Sequence, residues 1–116
     1  MLAEKIIRQT RGTIVAYIVD TVYNSHTEDK IIKIAQDADV FFCECSYLEA
    51  DKALAAENCH MTAKQAGMAA KLAGAKCLIP IHFSKRYSGE YGKLYEEAKS
   101  QFPNVERAKI YRETSK

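Results

Sequence analysis

Four polar residues stand at the ends or interruptions of apolar runs, and their types can bind metal or move protons: Asp20, Glu44, His60 and His82. Asp20 follows residues 13–19, TIVAYIV, and His82 follows residues 78–81, LIPI. In α/β sheets, ligands bind beyond the carboxyl ends of strands, which is where these two side chains would lie. Glu44 interrupts the run of residues 40–45, where a carboxylate is costly unless it finds a partner. Each residue also has an ordinary role. An Asp that ends a strand forms Asx turns, and a histidine after an apolar run can be a half-buried imidazole with structural hydrogen bonds alone.

The elements that must position these residues follow from pattern and punctuation. Residues 13–19 are rich in β-branched and aromatic side chains and are expected as a strand. Ser25-His-Thr-Glu28 has the spacing of a capping box and opens a helix whose apolar face is Ile31, Ile32, Ile34, Ala35 and Ala38. Residues 40–45 read as a second strand, and the continuity of the run implies burial on both faces. Residues 49–57 are alanine-rich and helical. Thr62 and Gln65 form another capping box, opening a helix that Gly74 closes, so His60 lies just before a helix N-terminus. Residues 77–82 form a strand, residues 89–101 a helix, and residues 107–111 a last strand after the Pro103-Asn104 break. The order β-α-β-α-α-β-α-β indicates an α/β protein with helices packed on a sheet.

With 116 residues, 47% apolar and 28% charged, the chain is expected to be a single unit, residues 1–116, with a core of ordinary size. A formal charge of +2 is too small for binding nucleic acid or membrane through bulk charge. Neither a membrane-length apolar run nor a leader-like N-terminus is present, which makes a cytoplasmic location the expectation. Cys43, Cys45, Cys59 and Cys77 have no zinc-ribbon spacing and are expected as reduced thiols, three of them in or beside apolar runs.

Taken in order, Tyr17-Ile-Val-Asp20-Thr21, Cys43-Glu44-Cys45-Ser46, His60-Met61-Thr62 and Ile81-His82-Phe83-Ser84-Lys85-Arg86-Tyr87 resemble the C-terminal half of a metallo-β-lactamase-fold hydrolase, ribonuclease Z in particular. The resemblance runs over nearly the whole chain from Gly12. It implies half of an αββα sandwich, a mixed sheet with flanking helices. It further implies that Asp20 bridges two metal ions, zinc being the expected cofactor, and that His82 binds one of them. A carboxylate suits that bridge because it can give an oxygen to each cation, and an imidazole suits a single zinc. Glu44 and His60 match the pair thought to work beside the scissile phosphate, with His60 as general acid to a leaving 3′-oxygen. Ser84 and Arg86 are candidates for contact with a substrate phosphate. RNA, with cleavage at the tRNA 3′ end, is the implied substrate.

The chain departs from the family pattern in two ways. The segment around Glu44 lacks the histidine that precedes the Glu in relatives. More consequentially, the His-x-His-x-Asp-His motif is absent, and the histidines are His26, His60 and His82 alone. Two metal ligands are fewer than the three a catalytic zinc retains. The chain is therefore expected to be a fragment or a natural half-protein, incomplete and inactive by itself. An apolar sheet face left open would favour self-association or a partner chain. The alternative is a non-catalytic α/β interaction module in which Asp20 and His82 are relics.

Overall fold

A computed structural model describes residues 3–8, as backbone, and residues 13–108. Strands β1 (Ala3–Arg8), β2 (Ile14–Val19), β3 (Val40–Glu44) and β4 (Leu78–Ile81) form one sheet in the order β1-β2-β3-β4. β1 is antiparallel to β2, whereas β2, β3 and β4 are mutually parallel, so the sheet is mixed as expected. Parallel neighbours need crossovers. Helix α1 (Ser25–Ala35) links β2 to β3, and α2 (Lys52–Glu57) with α3 (Ala63–Ala73) links β3 to β4; α4 (Tyr91–Gln101) follows. The sequence pattern does not reveal β1, because its one apolar pair, Ile6-Ile7, is flanked by charged residues.

Ala16 and Ile18 of β2, Phe41 and Cys43 of β3 and Leu78 of β4 are buried in one core with Ile31, Ile34 and Ala35 of α1, Ala66, Ala69 and Ala70 of α3, and Leu94 and Ala98 of α4. Alternate residues Val15, Tyr17, Val19, Val40, Phe42 and Ile79 point to the opposite face and are only half-buried. This corrects the expectation of burial on both faces. The apolar runs are continuous because both faces are apolar, but the helices that share the core cover one of them.

Two further boundaries differ from expectation. The first capping box lies one residue earlier, with Asn24 as the cap: its side chain accepts the N–H groups of His26 and Thr27, and the Thr27 hydroxyl accepts the Asn24 N–H. Glu28 is drawn away instead to accept the Tyr23 hydroxyl at 2.6 Å. Residues 49–57 divide into a 3₁₀ turn, Glu49–Asp51, and the short α2. The second capping box, Thr62 with Gln65, and the left-handed Gly74 at the end of α3 stand where expected. The strand expected over residues 107–111 falls mostly outside the described residues. Arg107 and Ala108 are unpaired in the sheet, while Val105 forms an isolated bridge to Leu78.

Candidate metal centre

Beyond the carboxyl ends of the three parallel strands, Asp20, Glu44, His60 and His82 each bring a potential ligand atom into a cluster no more than 4.8 Å across. β2 delivers Asp20, β3 ends on Glu44, β4 delivers His82, and the loop before α3 brings His60. The chain leaves β2 and β4 in a left-handed conformation, with φ of 54° at Asp20 and 60° at His82. Asp and His tolerate this region better than β-branched residues, although such backbone costs about 1–3 kcal/mol unless its surroundings hold it. Here they do hold it. Asp20 N–H donates to Glu44 Oε1 at 2.6 Å, and the His82 carbonyl accepts the Ser46 hydroxyl at 2.6 Å.

Glu44 is fully buried and organises the group. Its Oε1 takes the Asp20 N–H and lies 3.1 Å from His82 Nδ1; its Oε2 takes the Met61 N–H at 2.9 Å and lies 2.7 Å from His60 Nδ1. The partner that a carboxylate in a strand requires is thus shared: two backbone N–H groups and both imidazoles. A carboxylate beside Nδ1 of His82 assigns the ring hydrogen to that nitrogen and leaves the Nε2 lone pair available to a cation. His60 Nδ1 approaches Oε2 off the hydrogen-bonding direction and is otherwise buried without a hydrogen bond. Asp20 Oδ1 is 3.8 Å from Nδ1 of each histidine, and the two rings meet edge to face at 5.3 Å.

A carboxylate and two imidazoles, one of them with a buried nitrogen lacking a hydrogen bond, form a donor set that fits a borderline divalent cation such as zinc. The Glu44 oxygens are already engaged by donors, so the ligands free to be offered are Asp20 and the imidazoles.

Ser84 and Arg86 do not join the cluster. Ser84 Oγ accepts the Arg86 N–H as the cap of a 3₁₀ turn, Lys85–Tyr87, and Arg86 Nε lies 3.3 Å from Asp51 Oδ2. The Tyr87 hydroxyl also donates to Asp51, and this bond, followed by the charge of Arg86, holds the Asp51 carboxyl below its usual range. His26 is exposed on the first turn of α1. Two contributors were not anticipated. Met61 gives only a backbone N–H, which carries no signal in the sequence. Ser46 ties the end of β3 to the end of β4 through its hydroxyl and through its carbonyl, which accepts the Ser84 N–H at 3.1 Å; a small polar residue two positions after Glu44 was the available signal.

The thiols divide by depth. Cys43 and Cys45 are fully buried and desolvation pushes both well up, Cys77 is partly buried, and Cys59 is exposed; all four are free. Among the described residues, no helix is long and apolar enough to cross a membrane.

The family described as Beta-lactamase superfamily domain matches residues 6–83. Ribonuclease Z of Chlamydia pneumoniae is 40% identical over 102 residues, which is 88% of this chain and 32% of that protein. Ribonuclease Z of Geobacillus kaustophilus is 41% identical over 99 residues, 84% of this chain and 31% of that protein. The chain thus spans about a third of the length of these curated relatives. Among solved structures, a metallo-β-lactamase fold protein of Bacillus subtilis superposes with a TM-score of 0.69 at 24% identity, over 92% of this chain and 46% of that one. The short form of human tRNase Z gives 0.62 at 24% identity, over 88% of this chain and 33% of that one. These two likenesses extend the agreement to the fold.

Proposed function

Because the chain belongs to the beta-lactamase superfamily, we propose that it carries the proton-transfer residues and part of the metal site of a phosphodiesterase of the ribonuclease Z type, acting on RNA at tRNA 3′ ends. The observation that carries the proposal is the convergence of Asp20, Glu44, His60 and His82 at the carboxyl ends of three parallel strands. Asp20 and His82 would hold zinc. When bound, zinc acidifies water and neutralises charge on a phosphoryl group.

The chain's own residues do the rest. Glu44 Oε1 holds Nδ1 of His82, so that the remote nitrogen of that ring faces a ligand, and Glu44 Oε2 lies 2.7 Å from Nδ1 of His60, a carboxylate that favours the protonated ring. His60 gives its proton to the leaving 3′-oxygen. Arg86, with Nε held by Asp51, offers its terminal nitrogens to a phosphate oxygen, and Ser84 lies on the same turn.

Asp20 and His82 alone are fewer ligands than a catalytic zinc retains, so the remaining ligands come from a further segment or a partner chain, docked where the half-buried sheet face and the cluster meet. Alone, the chain does not cleave phosphodiesters. Four free thiols suit a cytoplasmic setting.

Zinc affinity, measured by chelator competition on the purified chain, tests this. Asp20→Ala and His82→Ala are expected to abolish specific binding, and Arg86→Ala to preserve it. Specific binding that survives both ligand substitutions, or cleavage of a 3′-extended tRNA by the chain alone, would overturn the proposal.

A further inference from the structure

The cluster faces two separate cavities. One, of about 240 Å³, is lined by Tyr17, Val19, Asp20, Ile81 and His82, on the side of the proposed metal ligands. The other, of about 430 Å³, has His60 as its only cluster residue, with Tyr23, Asn24, Lys52, Ala56 and Gln65 among its walls. Its volume lies within the range of small-molecule sites, about 300–1,000 Å³. A diester has two arms, and the arm that departs must do so beside the proton donor.

The chemistry of the second cavity is one-sided. Gln65 Oε1 accepts the Thr62 N–H at 2.9 Å, which leaves the Gln65 amide hydrogens as what it can offer. Asn24 Oδ1 accepts the His26 and Thr27 N–H groups at 2.8 and 3.0 Å, which leaves the Asn24 amide hydrogens likewise. Lys52 adds an ammonium, which lies 3.5 Å from the Glu49 carboxylate. What these two amides and the ammonium offer a ligand is therefore donors. Tyr23 adds a half-buried ring, held by its hydroxyl on Glu28, and Ala53 and Ala56 add a small-residue wall. A flat ligand with an edge of acceptors and faces that stack matches this lining, and nucleobases have both features.

We infer that this cavity receives the base of the nucleoside that leaves with a free 3′-hydroxyl, with its acceptor edge on Asn24 and Gln65. The inference rests on the phosphodiesterase reading above. It makes Asn24 and Gln65 specificity-determining residues and gives Ala56 a reason to stay small.

The test is ¹H–¹⁵N NMR of the chain titrated with the dinucleotide uridylyl-uridine, with ribose 5-phosphate as the control. The side-chain amide signals of Asn24 and Gln65 are expected to move with the dinucleotide and not with the sugar phosphate. Filling the cavity by Ala56→Phe, or independently by Ala53→Phe, both exposed positions on α2, is expected to weaken binding about tenfold or more. Absent amide shifts, shifts reproduced by ribose 5-phosphate, or unchanged affinity in whichever filled variant retains its amide dispersion would each overturn the assignment. Zinc affinity read in the same samples keeps the two proposals apart. Retained zinc binding without amide shifts removes the nucleobase site alone, and amide shifts without zinc binding remove the metal reading alone.

Discussion

The carboxylate of Glu44 accepts the backbone N–H of Asp20 across 2.6 Å, so the end of β3 fixes the left-handed turn at the end of β2. Because both Glu44 oxygens face donors, a carboxamide of the same size cannot replace it: one end of Gln would set an NH₂ against N–H groups. Glu44→Gln is expected to destabilise the fold nearly as much as Glu44→Ala, by about 3 kcal/mol in each case, since buried donors are left unpaired. Urea denaturation checks this. Wild-type stability in Glu44→Gln would mean that the site tolerates an amide and that the donors have other partners.

The packing of α3 on α4 depends on a missing side chain. A Cβ on Gly67 would lie 2.7 Å from the Ala98 carbonyl oxygen and 2.9 Å from Gln101 Cβ, whereas one on Gly92 meets nothing. Gly67→Ala should cost about 1–3 kcal/mol through forced separation of the helices. Gly92→Ala should gain about 0.5 kcal/mol by restricting the unfolded chain. Thermal melts of the two variants should move in opposite directions.

Thiol labelling should follow burial. Cys59, exposed before the His60 loop, is expected to react with iodoacetamide in the native protein, while Cys43 and Cys45, buried and with thiols pushed up by desolvation, react only on unfolding. Mass spectrometry of partly labelled protein reads the order, and early labelling of Cys43 would contradict the burial of β3.

Glu97 gives a pH dependence. Its Oε1 accepts the N–H groups of Glu49 and Lys64, yet partial burial outweighs these bonds and raises its carboxyl above the usual value. The folded state therefore holds the proton more tightly than the unfolded state, so Glu97 lowers stability as pH rises through the ordinary Glu pKa of about 4.3 and above. Glu97→Gln keeps an accepting oxygen and cannot titrate. Its stability relative to wild type is expected to increase as pH rises through the ordinary Glu pKa of about 4.3 and above; a constant difference in denaturation midpoint would refute the role of this carboxyl.

Much of the architecture was legible in the chain itself. Runs of β-branched and aromatic residues locate β2, β3 and β4, and Thr62, Gln65 and Gly74 delimit α3, because strand propensity and helix caps act between near neighbours. Asp20 and His82 were recognisable as strand-ending residues for the same reason. The first cap lies one residue before Ser25 because Asn24 and Ser25 are both good caps and the Asn24 carboxamide oxygen accepts two N–H groups. β1 has no such local signal: its backbone is a strand through antiparallel pairing with β2.

The composition of the site was decided by tertiary structure. Glu44 announced that it needed a partner, but a sequence does not state which of several donors a buried carboxylate will take. The parallel register of β2 with β3 and of β3 with β4 brings Asp20 and His82 to Glu44 from 24 residues before it and 38 residues after it, and the loop ahead of α3 adds Met61 and His60. Residue types and local spacing set what each side chain could do. Only strand order and register, which bring together groups distant in the chain, determine which of them can act together.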